Sequence, residues 1–144
     1  MTIPKATDKK PSLITPEELN TIIEQGNNEA LVKHAERLGK VLAFNRLTTS
    51  QIRGIVGAIR RIERAWRSPD QAEQRKAQRE LALLQPRLAY LAGRERNQGP
   101  LNSLKEVLTG ALVLIGNDPA RLRNFVDFFE AILAYHKAFG GREQ

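Results

Sequence analysis

The sequence predicts an all-α protein that folds as a single-domain bundle of five to six helices. Three observations predict this class. Helix-start signals recur along the chain, apolar residues repeat at spacings of three and four, and no segment between turn signals alternates as a strand would. The chain has 144 residues, of which 41% are hydrophobic, so it is long enough to bury one core.

The first helix is expected to follow a short tail. Residues 1–14 lack apolar periodicity, which predicts a disordered tail, and the helical domain is expected over 15–141. Thr15 is placed to cap the first helix, Pro16 suits its first position, and Glu18 lies three residues after the cap. The predicted helices are 16–25, 28–44, 49–67, 69–94, 100–115 and 119–139.

The later helices begin at similar signals. Residues 48–51 (Thr-Thr-Ser-Gln) have the spacing of a capping box, and residues 68–71 (Ser-Pro-Asp-Gln) repeat it. Proline near the first helical position opens the last two helices. Pro86 falls inside the fourth, where it removes one backbone hydrogen bond and costs roughly 3 kcal/mol. A kink or a break is therefore expected near residues 83–85.

Composition excludes several classes of protein. The chain has no cysteine, which excludes disulfides and thiolate chemistry. Its first residues carry charge but no apolar stretch of the kind that marks a secretory signal. The longest apolar run, residues 111–115, is far shorter than the ~20 residues that cross a bilayer. A cytoplasmic protein without a membrane partner is expected.

The basic charge is concentrated in the middle of the chain. The net charge is +7, and residues 53–96 hold eleven basic and five acidic residues, so this segment carries +6 of it. Ten of the eleven are arginines, whose planar guanidinium suits contact with phosphate. The partner is therefore expected to be a polyanion.

The helix predicted over 49–67 arranges this charge on one side. Its isoleucines and Trp66 fall within about 80° on a helical wheel and form the core face. Nearly opposite lies a basic stripe, roughly 20 Å long, with Gly57 close to the same line. The basic stripe consists of Arg53, Arg60, Arg64 and Arg67. Arg75, Lys76 and Arg79 add positive charge on the next helix and are further candidates.

Basic stripes are more often solvated helix faces that acids one turn away offset. No acid lies within this stripe and only Glu63 lies near it, which favours polyanion binding. The pattern does not separate RNA from DNA. A membrane surface is disfavoured, because the stripe is arginine only and the opposite face is needed for the core.

The aromatic residues favour contact with the backbone of a nucleic acid over base stacking. Five of them lie on the last predicted helix and are expected in the core, as is Trp66 at the end of the isoleucine face. These five are Phe125, Phe128, Phe129, Tyr135 and Phe139. A surface without exposed aromatics is expected to contact phosphates without sequence preference.

Neither an enzyme nor a cofactor or metal site is expected. His34 and His136 lie on different predicted helices without metal-ligand spacing, and His136 falls on an apolar face as a core or interface histidine. Asp127 and Glu130 share one side of the last helix and are interpreted as a solvated or partner-facing acidic spot. No glycine-rich phosphate loop occurs.

Three stretches together resemble a known family: residues 47–53 (LTTSQIR), 84–94 (LQPRLAYLAGR) and 125–137 (FVDFFEAILAYHK), the last followed by Gly140-Gly141. In this order, over roughly residues 40–141, they are similar to the small subunit of the type III-A (Csm) CRISPR–Cas effector complex. By this resemblance, Arg53 matches the basic residue after a Ser-Gln-Ile motif. Arg87 and Arg94 match basic positions around a Pro-X-Leu-Ala-Tyr motif.

The resemblance implies a non-catalytic helical bundle that supports antiviral defence. Several copies would stack beside the backbone subunits that hold the guide RNA, and would face the guide–target duplex. The implied partners are the guide RNA and target RNA backbone, other Csm subunits and further copies of the chain. Two alternatives stay open on the residues alone. One is a stand-alone basic helical nucleic-acid-binding protein, and the other is a helical adaptor whose arginines meet acidic protein surfaces.

Overall fold

The computed structural model describes residues 13–94 and 99–141, except for the side chain of Pro100. Within these ranges the chain forms six helices and no β-strand, which confirms the all-α bundle. The helices are α1 (Pro16–Ile23), α2 (Asn28–Phe44), α3 (Thr49–Trp66), α4 (Gln71–Gly93), α5 (Pro100–Ile115) and α6 (Pro119–Ala138). Residues 1–12 of the predicted tail lie outside the described residues, while Leu13 and Ile14 pack on the bundle.

Local hydrogen bonds explain where the helices begin. The Thr15 hydroxyl accepts from the Glu18 backbone N–H at 3.1 Å, and the Glu18 carboxylate accepts from the Thr15 N–H at 3.0 Å. Thr48 and Gln51 form the same reciprocal pair at the start of α3. The capping boxes at Thr15 and Thr48 are confirmed, and each satisfies donors that the first helical turn leaves unpaired.

The capping box predicted over residues 68–71 is wrong. Asp70 caps α4 instead: its carboxylate accepts from the Ala72 N–H at 2.9 Å, and the helix begins at Gln71. Ser68 accepts from the Asp70 N–H at 3.1 Å, which belongs to the turn before the helix. Since aspartate is an N-cap as strong as serine, the later of the two candidate caps starts the helix.

Of the kink or break predicted near Pro86, the break does not occur, because α4 runs without interruption from Gln71 to Gly93. Pro86 is exposed, whereas Leu84 and Leu88 on either side of it are buried in the core. The proline therefore lies on the solvent side, where water can hydrogen-bond the exposed Ala82 carbonyl that lacks its N–H partner. Burial of the two leucines holds the helix together across the proline.

Replacing Pro86 with alanine is expected to raise the free energy of unfolding by about 2 kcal/mol. The change removes the ~3 kcal/mol that proline costs in a helix interior. It also raises the conformational entropy of the unfolded chain, which lowers the gain in stability by up to ~1 kcal/mol. Urea denaturation measures the difference. Pro119→Ala is the control, because Pro119 lies in the first turn of α6, where its N–H would have no helical partner. Equal effects at the two prolines would contradict this explanation.

The core forms around α6, which packs against α1, α2, α3 and α5. Phe125, Phe128 and Phe129 of α6 are buried, as predicted. Along α2 the two helices approach closely, and a Cβ on Gly39 would lie 2.6 Å from the Tyr135 Cβ. At the far side of the bundle α4 packs between α3 and α5. This order leaves the outer faces of α3 and α4 uncovered within the described part of the chain.

His136 connects α6 to the start of α3. It is 1% exposed, and its Nε2 donates to the Leu47 carbonyl at 2.5 Å, which confirms the expected core position. Gly141 lies directly against its ring, because a Cβ there would come within 2.5 Å of three ring atoms. The hydrogen bond from His136 holds Leu47, the residue before the Thr48 N-cap, and so helps to place the first turn of α3.

Candidate nucleic-acid interface

The outer face of α3 carries the predicted basic stripe. Arg53, Arg60, Arg64 and Arg67 are all exposed. On the opposite side of the helix the isoleucines are buried, and Trp66 is 7% exposed, so the core placement of Trp66 is confirmed. The helix is held from behind by apolar burial, which leaves the guanidinium groups free to face a ligand.

The expectation that no carboxylate meets the stripe is wrong at one position. Arg60 Nε lies 3.4 Å from Glu130 Oε2 on α6, so the acidic spot predicted there faces an arginine of the same chain. Asp127 also pairs within α6, with Arg123 at 3.8 Å. An exposed pair of this kind is worth under ~1 kcal/mol, so a phosphate can compete for Arg60.

The other three stripe arginines are available for an anion. Glu63, the one nearby acid in the sequence, points to Arg123 at 3.6 Å instead of to the stripe. Within residues 13–94 and 99–141, Arg53, Arg64 and Arg67 form no ion pair. They therefore carry most of the unneutralised charge on this face.

A groove between α3 and α4 widens the basic surface. It is an open cavity of about 390 Å³. It is lined by Arg61, Arg64, Ala65, Ser68, Glu73, Lys76 and Glu80. The structure thus brings Lys76 next to Arg64, with Glu73 and Glu80 on the α4 wall. The two glutamates make the groove less positive than the stripe beside it.

Arg61 is a candidate that the sequence analysis missed. It lies about 90° from the stripe on the helical wheel, so the stripe does not include it. Because α4 packs on that side of α3, Arg61 lines two cavities shared by the two helices. The antiparallel pairing of α3 and α4 was the signal that would have identified it.

Arg87 joins this surface and lines a second cavity between α3 and α4. Its Nη2 lies 3.5 Å from the position that a Cβ on Gly54 would occupy, so the side chain reaches α3 at Gly54. A Cβ on Gly57, which lies close to the line of the stripe, would have Arg61 Nη1 at 3.7 Å. Both distances are ordinary side-chain contacts, so Arg87 lies over Gly54 and Arg61 over Gly57.

The remaining candidates divide between two places. Arg75 and Arg79 are exposed on the outer side of α4 and line none of the described α3–α4 cavities. Arg94 ends α4 as its C-cap, and its guanidinium carbon lies 5.8 Å from the centre of the Tyr90 ring. All nine predicted basic residues are exposed. Seven of them lie on the surface that α3 and α4 share, and Arg75 and Arg79 form a separate pair on the outer side of α4.

The expectation of a surface without exposed aromatics is wrong. Tyr90 is 65% exposed, Phe44 is 87% exposed, and Phe139, which was expected in the core, is 40% exposed. Phe139 follows the last turn of α6, where its ring stacks on Tyr135 at 6.3 Å and lies under Lys40. Tyr135 is half-buried against the core.

His34 lies between an arginine and a glutamate, and His136 is hydrogen-bonded to Leu47 in the core. Arg37 donates to His34 Nδ1 at 3.0 Å, and Glu18 lies 3.9 Å from His34 Nε2. Burial lowers the pKa of His34, against the opposing effect of the Glu18 carboxylate. Among the residues that the structure describes, no three histidine, aspartate or glutamate side chains form a group that could hold a metal ion.

No helix in the described ranges is both long and apolar enough to cross a membrane.

Fold and surface together define a class of protein: a small helical bundle that presents basic side chains on two adjoining helices. A sequence model of the Csm2 type III-A family matches residues 25–142, and the chain therefore belongs to this family. It is a small subunit of a type III-A CRISPR effector and a member of a Csm complex with other subunits, which confirms the resemblance. Searches against curated proteins and against solved structures gave no significant match.

Proposed function

We propose that this chain binds the sugar-phosphate backbone of the guide–target RNA duplex as a non-catalytic subunit of a cytoplasmic type III-A complex, and so supports antiviral defence. One observation carries the proposal. The basic residues of α3 and α4 are exposed on adjoining helices, and three of the stripe arginines have no acidic partner within the described residues. The proposed contacts are Arg53, Arg60, Arg61, Arg64, Arg67, Lys76, Arg87 and Arg94, with Arg75 and Arg79 at the outer side.

The chemistry of the surface fits a nucleic acid whose base sequence is recognised by base pairing and not by this protein. Guanidinium groups bind phosphate oxygens in pairs of hydrogen bonds, and these contacts carry no information about base identity. In an RNA-guided complex, base pairing between guide and target supplies the sequence specificity. Contacts that are weak for one copy become effective when several copies act along one duplex.

Assembly requires protein-facing surfaces as well. Val32 on α2 and Val113 on α5 are exposed apolar side chains that belong to neither of the basic helices. They are candidates for contact with other Csm subunits or with further copies of the chain.

Binding of RNA by the purified chain is expected to depend steeply on salt. If at least six phosphates are contacted, the affinity for a short RNA duplex falls by about 10³-fold between 50 and 200 mM salt. Fluorescence anisotropy with two duplexes of unrelated sequence measures this, and both are expected to bind equally. The RNA is expected to be recovered at full length from samples with and without divalent metal.

Each alternative predicts a different result in this experiment. A protein adaptor would bind no RNA even at low salt, which would refute the proposal. Cleavage that is lost on substitution of His34 or His136 would refute the non-catalytic part of it. Co-purification of the chain with a guide RNA separates a complex subunit from a stand-alone binder.

A further inference from the structure

Tyr90 is an exposed aromatic residue within a basic surface. Its side chain is on α4 and is 65% exposed, whereas Trp66 at the end of α3 is 7% exposed. An aromatic ring left in water gains nothing for the stability of the fold. Contact with phosphates alone does not need the ring either, since arginines make those contacts.

The neighbours of Tyr90 on one side of α4 are one apolar and two cationic side chains. Leu83, Arg87, Tyr90 and Arg94 are spaced by four, three and four residues, which places them on one side of α4. All four are exposed, and Leu83 and Arg87 line a cavity of about 180 Å³ between α3 and α4. This side of α4 therefore borders the groove and continues the α3–α4 surface toward the end of the helix.

Two arginines flank Tyr90 along α4. Arg87 and Arg94 are separated by two helical turns, or about 10 Å along the helix axis, and Tyr90 lies between them. The guanidinium carbon of Arg94 is 5.8 Å from the ring centre on one side of the ring. The exposure of Tyr90 shows that much of the ring is still open, and an unpaired base can stack there while the two arginines hold phosphates.

We infer that Tyr90 is a stacking platform for an unpaired RNA base, with Arg87 and Arg94 binding the phosphates that flank it. The inference rests on the proposed function, since it assumes that RNA reaches this surface. Every base has an aromatic face, so the platform accepts any of the four. One cation over a face of the ring, and a second one turn earlier on α4, favour a nucleotide over an apolar protein surface.

The test compares paired and unpaired RNA on the full chain. One probe is a short RNA duplex, and the other is the same duplex with one bulged 2-aminopurine nucleotide, whose fluorescence falls when it stacks. Tyr90→Leu is expected to weaken binding of the bulged RNA on the order of 5- to 100-fold, and to leave the paired duplex unaffected. Tyr90→Phe is expected to bind as the parent chain does, because it keeps the ring. Quenching of the 2-aminopurine on binding is expected for the parent chain and Tyr90→Phe only.

Phe44→Leu is the matched control, because Phe44 is an exposed aromatic on α2 and no cation lies over its ring in the described part of the chain. It is expected to change neither affinity. Equal loss for both RNAs on Tyr90→Leu, or no loss for either, would overturn the platform while RNA binding itself stands. A change in sedimentation mass without a change in RNA affinity would assign Tyr90 to a protein contact and also overturn it. Absence of RNA binding by the parent chain would refute the proposed function and the platform together.

Discussion

Changing Arg53, Arg64 and Arg67 to glutamate is expected to abolish binding of RNA at low salt. These three arginines are exposed and have no acidic partner within the described residues, so no other contact masks their loss. A hydrogen bond to a charged group is worth about 1.5 kcal/mol or more, so losing three lowers affinity on the order of 10³-fold before the added repulsion is counted. The plot of log affinity against log salt concentration should also become less steep, by about three in slope.

The control for this variant changes the same charge elsewhere. Lys33 and Lys40 on α2 and Lys105 on α5 lie outside the α3–α4 surface, and their change to glutamate alters the net charge equally. The lysine variant should lose far less affinity than the arginine variant. Equal losses would mean that net charge alone drives binding, and unchanged affinity in the arginine variant would refute the site. Circular dichroism verifies that both variants are folded.

Gly39→Ala is expected to destabilise the fold by about 3 kcal/mol or more, at the upper end of what overpacking causes. A Cβ at this position would lie 2.6 Å from the Tyr135 Cβ, 2.8 Å from the His136 backbone nitrogen and 2.9 Å from the Ile132 carbonyl oxygen. Two of these atoms belong to the backbone of α6 and cannot rotate away. The helices α2 and α6 must therefore separate, which opens the core between them.

The same substitution at Gly57 has the opposite expected sign. There a Cβ would meet only Arg61 Nη1 at 3.7 Å, an ordinary contact, and alanine favours a helix interior by up to about 1 kcal/mol. Urea denaturation of the two variants measures both free energies of unfolding. A Gly39→Ala protein as stable as the parent chain would show that α2 and α6 do not approach as closely as described.

Much of the helical order could be predicted because it depends on residues within one turn of each other. The capping box at Thr48 and Gln51 involves atoms three residues apart. The repeat that buries Ile52, Ile55 and Ile59 lies within a single helix, so the exposed stripe on its other side was also predictable. Where two local signals competed, before α4, the boundary was misplaced by two residues.

The parts that failed involve residues far apart in the chain. Glu130 reaches Arg60 only because α6 packs beside α3, and nothing within either helix indicates it. Arg61 became part of the surface when α4 formed the other wall of its groove. Tyr90 is exposed because α4 packs on α3 and α5 through its leucine and alanine face, which leaves the ring outside the core.

The sequence by itself determined that this chain is helical, where its helices begin, that one face of α3 is basic, and which family it belongs to. Tertiary structure alone decided which arginines share a surface, which one meets a carboxylate, and that α4 stays continuous through Pro86. The physical reason is the range of the forces concerned. Capping bonds and helical periodicity act within a few residues, whereas burial, close approach and ion pairing depend on which helices become neighbours.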